Sequence, residues 1–125
     1  MSLMRIHLTL GRDPDFPHGS NDRGYEFIAP LREDGHINAE EWQKHRMKCY
    51  VRRFWAGEDE ELGHLVHTRG RQWAFHYDVE GDVDDDEVGF KFDNHLFRQG
   101  EYVSIREHDG EMRTFKVASV EPLQD

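Results

Sequence analysis

The sequence has a single cysteine, Cys49, in 125 residues, and this excludes an internal disulfide framework. It has no apolar run long enough for a membrane span or for the core of a signal peptide. It also lacks a glycine-rich phosphate loop, a nucleophile elbow around serine, and the H-x-H and H-E-x-x-H patterns of metal sites. We therefore expect a cytoplasmic protein, and no motif assigns it an activity.

Positive charge is scarce as well. Lysine and arginine total 16 against 26 acidic residues, giving a formal net charge of -10. This negative net charge disfavours sequence-independent binding to nucleic acids, which depends on attraction to the phosphate backbone. The charges are uneven: residues 42–55 contain five bases and no acid, whereas residues 78–87 contain seven acids and no base. The acidic run is typical of an extended, solvated loop, and the excess of arginine over lysine indicates a GC-rich bacterial genome.

Aromatic residues, by contrast, are plentiful. Fifteen of them are too many for a disordered chain, and a chain of this length supports one hydrophobic core. We expect a single domain over residues 1–125. Residues 1–3 precede a second methionine, Met4, and are interpreted as additions for expression.

Apolar and polar residues alternate with period two through much of the chain, which predicts strands. A long irregular loop over 11–22 separates the first two, and Asn38 with Glu41 forms a capping-box pattern that starts a helix over about 39–48. The predicted strands are 4–10, 23–31, 50–56, 62–68, 72–78, 88–92, 101–107 and 112–120. The expected fold is mainly β, with seven or eight mostly antiparallel strands in a bent sheet or small, partly open barrel, and one short helix.

Two hairpin registers follow from the same pattern. A three-residue loop at 108–110 pairs Val103 with Phe115 and keeps the apolar face continuous. A three-residue loop at 69–71 pairs Leu65 with Phe75 and sets His64 directly across from His76. Asp78 would share the face of these histidines.

His64, His76 and Asp78 form the best candidate metal site, because two imidazoles and a carboxylate can hold a divalent metal with open positions for water. This supports the hypothesis of a metal-dependent hydrolase or oxygenase, and a divalent metal is the one cofactor that the sequence leaves open. Cys49 ends the predicted helix, where the helix dipole disfavours a thiolate, and is interpreted as buried packing.

A different hypothesis is single-stranded nucleic-acid binding on a small barrel, where bases stack on aromatics beside arginines. Tyr50, Arg52 and Phe54 share one strand face, and Arg53 and Trp55 share the other. Only one of these two strand faces can belong to the core. The alternative is that the face with Trp55 is buried and that Arg52 covers apolar surface with its stem.

By elimination, the leading hypothesis is a small non-enzymatic binding module. It contacts a protein or a small polar ligand through the sheet and the 11–22 loop, and no membrane partner is expected. Long loops in compact domains are either functional or mobile, and Phe16 is positioned to pin this one to the body. The predicted ligand-binding residues are Arg52, Arg53, His64, Arg69, Arg71 and His76.

Overall fold

A computed structural model describes residues 3–67, 73–77, 90–92, 96–106 and 111–123, with the backbone alone at residues 77 and 90–92. It contains eight strands, one short α-helix and one 3₁₀ turn. In chain order these are β1 (Leu3–Leu10), β2 (Ser20–Pro30), α1 (Ala39–His45), the 3₁₀ turn (Arg46–Lys48), β3 (Tyr50–Trp55), β4 (Glu61–His67), β5 (Trp73–Tyr77), β6 (Phe90–Phe92), β7 (Tyr102–Arg106) and β8 (Met112–Pro122). Among the described residues, no helix is long and apolar enough to cross a membrane.

The strands form one sheet in the order β6-β5-β4-β3-β2-β1-β8-β7. Every neighbouring pair is antiparallel. The sheet curls into a half-barrel, and its two edge strands approach each other with Cα atoms within 8 Å. The predicted fold, a mainly β chain with a bent antiparallel sheet and one short helix, is confirmed.

The concave side of the sheet holds the core, as the alternation of residues requires. Tyr25 and Phe27, both on β2, are at most 1% exposed and lie at its centre. Their rings contact Phe75 at centroid distances of 5.2 and 5.1 Å, and Tyr25 also contacts Phe115 at 5.1 Å. Tilted and edge-on pairs at these distances add to the hydrophobic gain of burial.

The helix begins where the capping pattern predicts. The side-chain oxygen of Asn38 accepts a hydrogen bond from the Glu41 backbone N–H at 3.2 Å. Trp42 anchors α1 to the sheet, because its indole N–H donates to the Leu65 carbonyl at 3.0 Å. The Cys49 thiol is fully buried, as predicted, and burial raises its pKa to about 11.

Both predicted hairpin registers are confirmed. His64 pairs with His76 and Leu65 with Phe75. Val103 pairs with Phe115 on the other hairpin. The connecting loops at 69–71 and 108–110 lie outside the described residues.

Several strand boundaries differ from the prediction by one or two residues, and the largest difference is at the start of β2. β2 begins at Ser20, three residues before the predicted start, and Ser20 pairs with Leu10. An irregularity between Thr9 and Leu10 shifts the register there. Residues 20–22, which the sequence predicts to belong to the loop, therefore extend β2. Leu3, interpreted from the sequence as an added residue, pairs with Pro30.

Candidate functional site

The structure places the predicted binding residues Arg52 and Arg53 on opposite faces of β3. Arg52 faces outward and pairs with Glu60 at 2.5 Å and with Glu26 at 3.8 Å. Arg53 faces the interior, is 7% exposed, and pairs with Glu58 at 3.3 Å. The two guanidinium groups therefore do not form one surface.

The two predicted histidines do come together. His64 and His76 are direct cross-strand partners, and the Tyr50 ring lies 5.3 Å from the His64 ring on the same outer face. The third predicted metal ligand, Asp78, and the predicted binding residues Arg69 and Arg71 lie outside the described residues. Within the described ranges no three histidine, cysteine or carboxylate side chains gather as a metal site.

The segment between β1 and β2 is folded against the body of the protein. Asp13 and Phe16 exchange two backbone hydrogen bonds, of 2.9 and 3.1 Å, and the Gly19 N–H donates to the Phe16 carbonyl at 2.8 Å. Gly19 has a positive φ of 71°, which a side chain would strain. The Phe16 ring packs edge-on against Trp55 at 6.1 Å, so the prediction that Phe16 pins this loop is confirmed.

A nearly buried ion pair ties the loop to β8. The Arg113 guanidinium donates to the Asp13 carboxylate at 2.7 Å, and the two side chains are only 13% and 8% exposed. A second contact, to Asp15 at 3.3 Å, involves a carboxylate that is 69% exposed. We call the pair Asp13–Arg113 the loop latch.

Three arginines surround the aromatic pair Phe16 and Trp55 beneath the loop. The central carbon of the Arg23 guanidinium lies 4.4 Å from the Phe16 ring centroid, and that of Arg53 lies 4.4 Å from the Trp55 centroid. Arg113 lies 5.9 and 5.8 Å from the two rings. Cation–π contacts of this kind stabilise the loop together with the latch, so the loop is a fixed element.

The other side of the same loop forms one wall of a cleft of about 510 Å³. The opposite wall is the outer face of β1, β7 and β8, where Thr114 and Lys116 alternate with the buried Phe115 and Val117. The lining residues are Thr9, Leu10, Gly11, Arg12, His18, Gly19, Ser20, Asn21, Tyr102, Thr114 and Lys116. We call this space the loop cleft.

The loop cleft is lined mostly by polar residues, and its charged side chains are basic. Arg12, His18 and Lys116 line it without any carboxylate among the lining residues. None of the three forms an ion pair with the described carboxylates. The Gly11 N–H donates to the Thr114 carbonyl at 2.9 Å, which joins the start of the loop to β8.

A second cleft, of about 370 Å³, lies beside the start of α1. In it the His67 and Trp73 rings are stacked at 4.2 Å, and Asp34 accepts from the His36 side chain at 3.1 Å. Hydrogen bonds from the backbone and side chain of His36 lower the pKa of the exposed Asp34 carboxyl. This cleft mixes acidic and basic groups, in contrast to the loop cleft.

A scan against protein-family models, a search of curated proteins and a search of solved structures each find no match to this chain.

Sequence reasoning pointed to the 11–22 loop but did not find the residues that complete the cleft. Lys116 and Thr114 lie about a hundred positions away, and Tyr102 belongs to the neighbouring strand. They meet the loop because β8 pairs with β1, with Lys116 opposite Thr9. Pairing between the first and last strands has no local signal, so the alternation within each strand alone could not reveal it.

Proposed function

We propose that the protein is a small, non-enzymatic, cytoplasmic binding module that holds a small polar ligand in the loop cleft. The observation that carries this proposal is a cleft of about 510 Å³ with a polar lining on a fixed loop and a sheet. Ligand sites typically have volumes of about 300–1,000 Å³. Cys49, a buried thiol, fits a reducing compartment.

The chemistry of the lining favours a small polar ligand over a protein partner. Hydroxyl groups of Thr9, Ser20, Thr114 and Tyr102 and the amide of Asn21 offer donors and acceptors from several directions. The latch and the arginine contacts fix the loop before binding, which reduces the entropy lost when the ligand is ordered. A concave, preformed polar site is suited to a ligand that it can surround.

Glycine amides provide a direct test by nuclear magnetic resonance. We expect a panel of sugars, amino acids, organic acids and phosphate monoesters to include compounds that shift the Gly11 and Gly19 amide signals saturably. Gly57, in the turn between β3 and β4, should not respond. Thr114→Phe should abolish the response by filling the cleft, whereas Leu62→Phe adds a ring on an outer face elsewhere and should preserve it.

The proposal is contradicted if no compound in the panel shifts Gly11 or Gly19. It is also contradicted if Thr114→Phe binds as the unaltered protein does while its melting temperature shows that it is folded. Leu62 is 59% exposed, so the control substitution leaves the core intact.

A second candidate function is metal-dependent hydrolysis or oxygenation at His64 and His76. The observation that favours it is the cross-strand pairing of these two histidines, with Asp78 as the third proposed ligand. Protein purified without chelator should then contain stoichiometric metal, and EDTA should lower its melting temperature. His76→Gln should remove both effects. Absence of metal together with an unchanged melting temperature would contradict this candidate.

Single-stranded nucleic-acid binding receives less support. The hypothesis relies on Arg52 and Arg53 acting beside exposed aromatics, but Arg53 faces the interior and Arg52 pairs with two glutamates. A nucleic-acid strand would have to displace these carboxylates against a net charge of -10.

A further inference from the structure

We propose that the ligand of the loop cleft is a phosphate monoester of a small organic molecule. This inference rests on the proposed function and specifies the chemical class of its ligand.

The first argument is the sign of the local charge. The protein carries 26 acidic residues and a formal net charge of -10, yet the side chains of fixed charge that line the cleft are Arg12 and Lys116, both basic. Two fixed positive charges with no carboxylate among the lining residues make the cleft locally attractive to anions. The loop also carries Asp13, Asp15 and Asp22, but none of them lines the cleft, and Arg113 pairs with Asp13 and Asp15.

The second argument is the number and kind of hydrogen-bond donors. Arg12 presents a planar fork and Lys116 a compact ammonium, the two groups that most often bind phosphate oxygens. A phosphate monoester brings a charge of about -1.5 to -2 and three strong acceptor oxygens at neutral pH. A carboxylate has one charge and two oxygens, so it would leave more of these donors unused.

Ser20 adds a hydroxyl donor whose oxygen is already held in place by the protein. Its hydroxyl oxygen accepts from the Arg23 guanidinium at 3.1 Å and from the Asp22 backbone N–H at 3.3 Å. With the oxygen occupied as an acceptor, the hydroxyl hydrogen is available to donate to a ligand in the cleft. Arg23 behind Ser20 also favours negative charge on that ligand.

The size of the cleft and the Tyr102 ring argue for an organic group on the phosphate. The volume of about 510 Å³ is far larger than one oxyanion needs, because a water molecule occupies only about 30 Å³ in the liquid. The Tyr102 side chain is 60% exposed at the rim and lies close to Gly11, 3.7 Å from where a β-carbon would stand. It offers a flat surface to the organic part.

The test compares adenosine 5′-monophosphate with adenosine and with succinate, using the Gly11 and Gly19 amide signals of the complete chain. The monophosphate should bind at least about tenfold more tightly than either compound, and added salt should weaken it. Arg12→Gln and Lys116→Gln should each weaken its binding about tenfold, because each removes a charged hydrogen bond.

Two substitutions serve as matched controls: Arg46→Gln and Lys48→Gln remove the same charges from exposed positions of the 3₁₀ turn. They should leave binding and melting temperature unchanged. The phosphate assignment is overturned, with the binding function intact, if adenosine or succinate binds the cleft as tightly as the monophosphate. It is also overturned if the cleft and control variants behave alike. If no compound of the wider panel shifts Gly11 or Gly19, both proposals fail.

Discussion

Replacing Gly24 by alanine is expected to destabilise the protein by about 3 kcal/mol or more, the upper range for overpacking in a closely packed site. A β-carbon at this position would stand 1.9 Å from the Leu8 carbonyl oxygen and 3.1 Å from the Phe54 ring. The first obstacle is backbone, so β1 and β2 would have to separate where Gly24 pairs with Thr9. The measurement is the free energy of unfolding from urea titration.

Gly57→Ala provides the control for this substitution. Gly57 has a positive φ of 86°, but its β-carbon would meet no atom within 4 Å. We expect a cost of only about 1 kcal/mol, from backbone strain. Equal costs at Gly24 and Gly57 would contradict the close approach of β1 and β2.

Asp13→Ala is expected to cost about 2–3 kcal/mol, somewhat below the range for breaking fully buried ion pairs because Asp15 still faces the guanidinium. The substitution leaves Arg113, only 13% exposed, without its 2.7 Å partner. It also removes the oxygen that accepts the Asp15 backbone N–H at 3.0 Å. For a chain of this size the loss corresponds to a decrease of roughly 10 °C in melting temperature, measured by calorimetry.

Asp15→Ala tests whether burial determines the effect. Asp15 contacts the same guanidinium at 3.3 Å but is 69% exposed, and exposed ion pairs contribute about 1 kcal/mol or less.

Asp13→Ala should also weaken binding at the loop cleft, since the loop that carries Arg12 and His18 loses its attachment. If Asp13→Ala costs no more than Asp15→Ala, the loop latch does not hold the loop.

The sheet could be predicted from the sequence because its signals are local. Leu65 and Phe75, or Val103 and Phe115, belong to hairpins in which the apolar pattern permits few registers. The helix start was equally local, as Asn38 and Glu41 lie three residues apart.

The candidate site could not be predicted in the same way, because it depends on contacts between distant parts of the chain. Asp13 and Arg113 are a hundred residues apart, and each alone resembles an ordinary surface charge. Arg53 illustrates the same dependence: its position beside exposed aromatics in the sequence suggests a binding residue, whereas in the structure it faces the interior and packs on Trp55. A charged residue at an inward position is recognised only when its partners, here Glu58 and the Trp55 ring, are known.

A crystal structure of the protein grown with adenosine 5′-monophosphate would test the central claim most directly. We predict the phosphate group between the loop and β8, with oxygens within hydrogen-bond distance of the Arg12 guanidinium and Lys116 Nζ. Nucleotide found instead beside His64 and His76 or in the cleft next to α1, or an empty loop cleft at saturating nucleotide, would contradict the account.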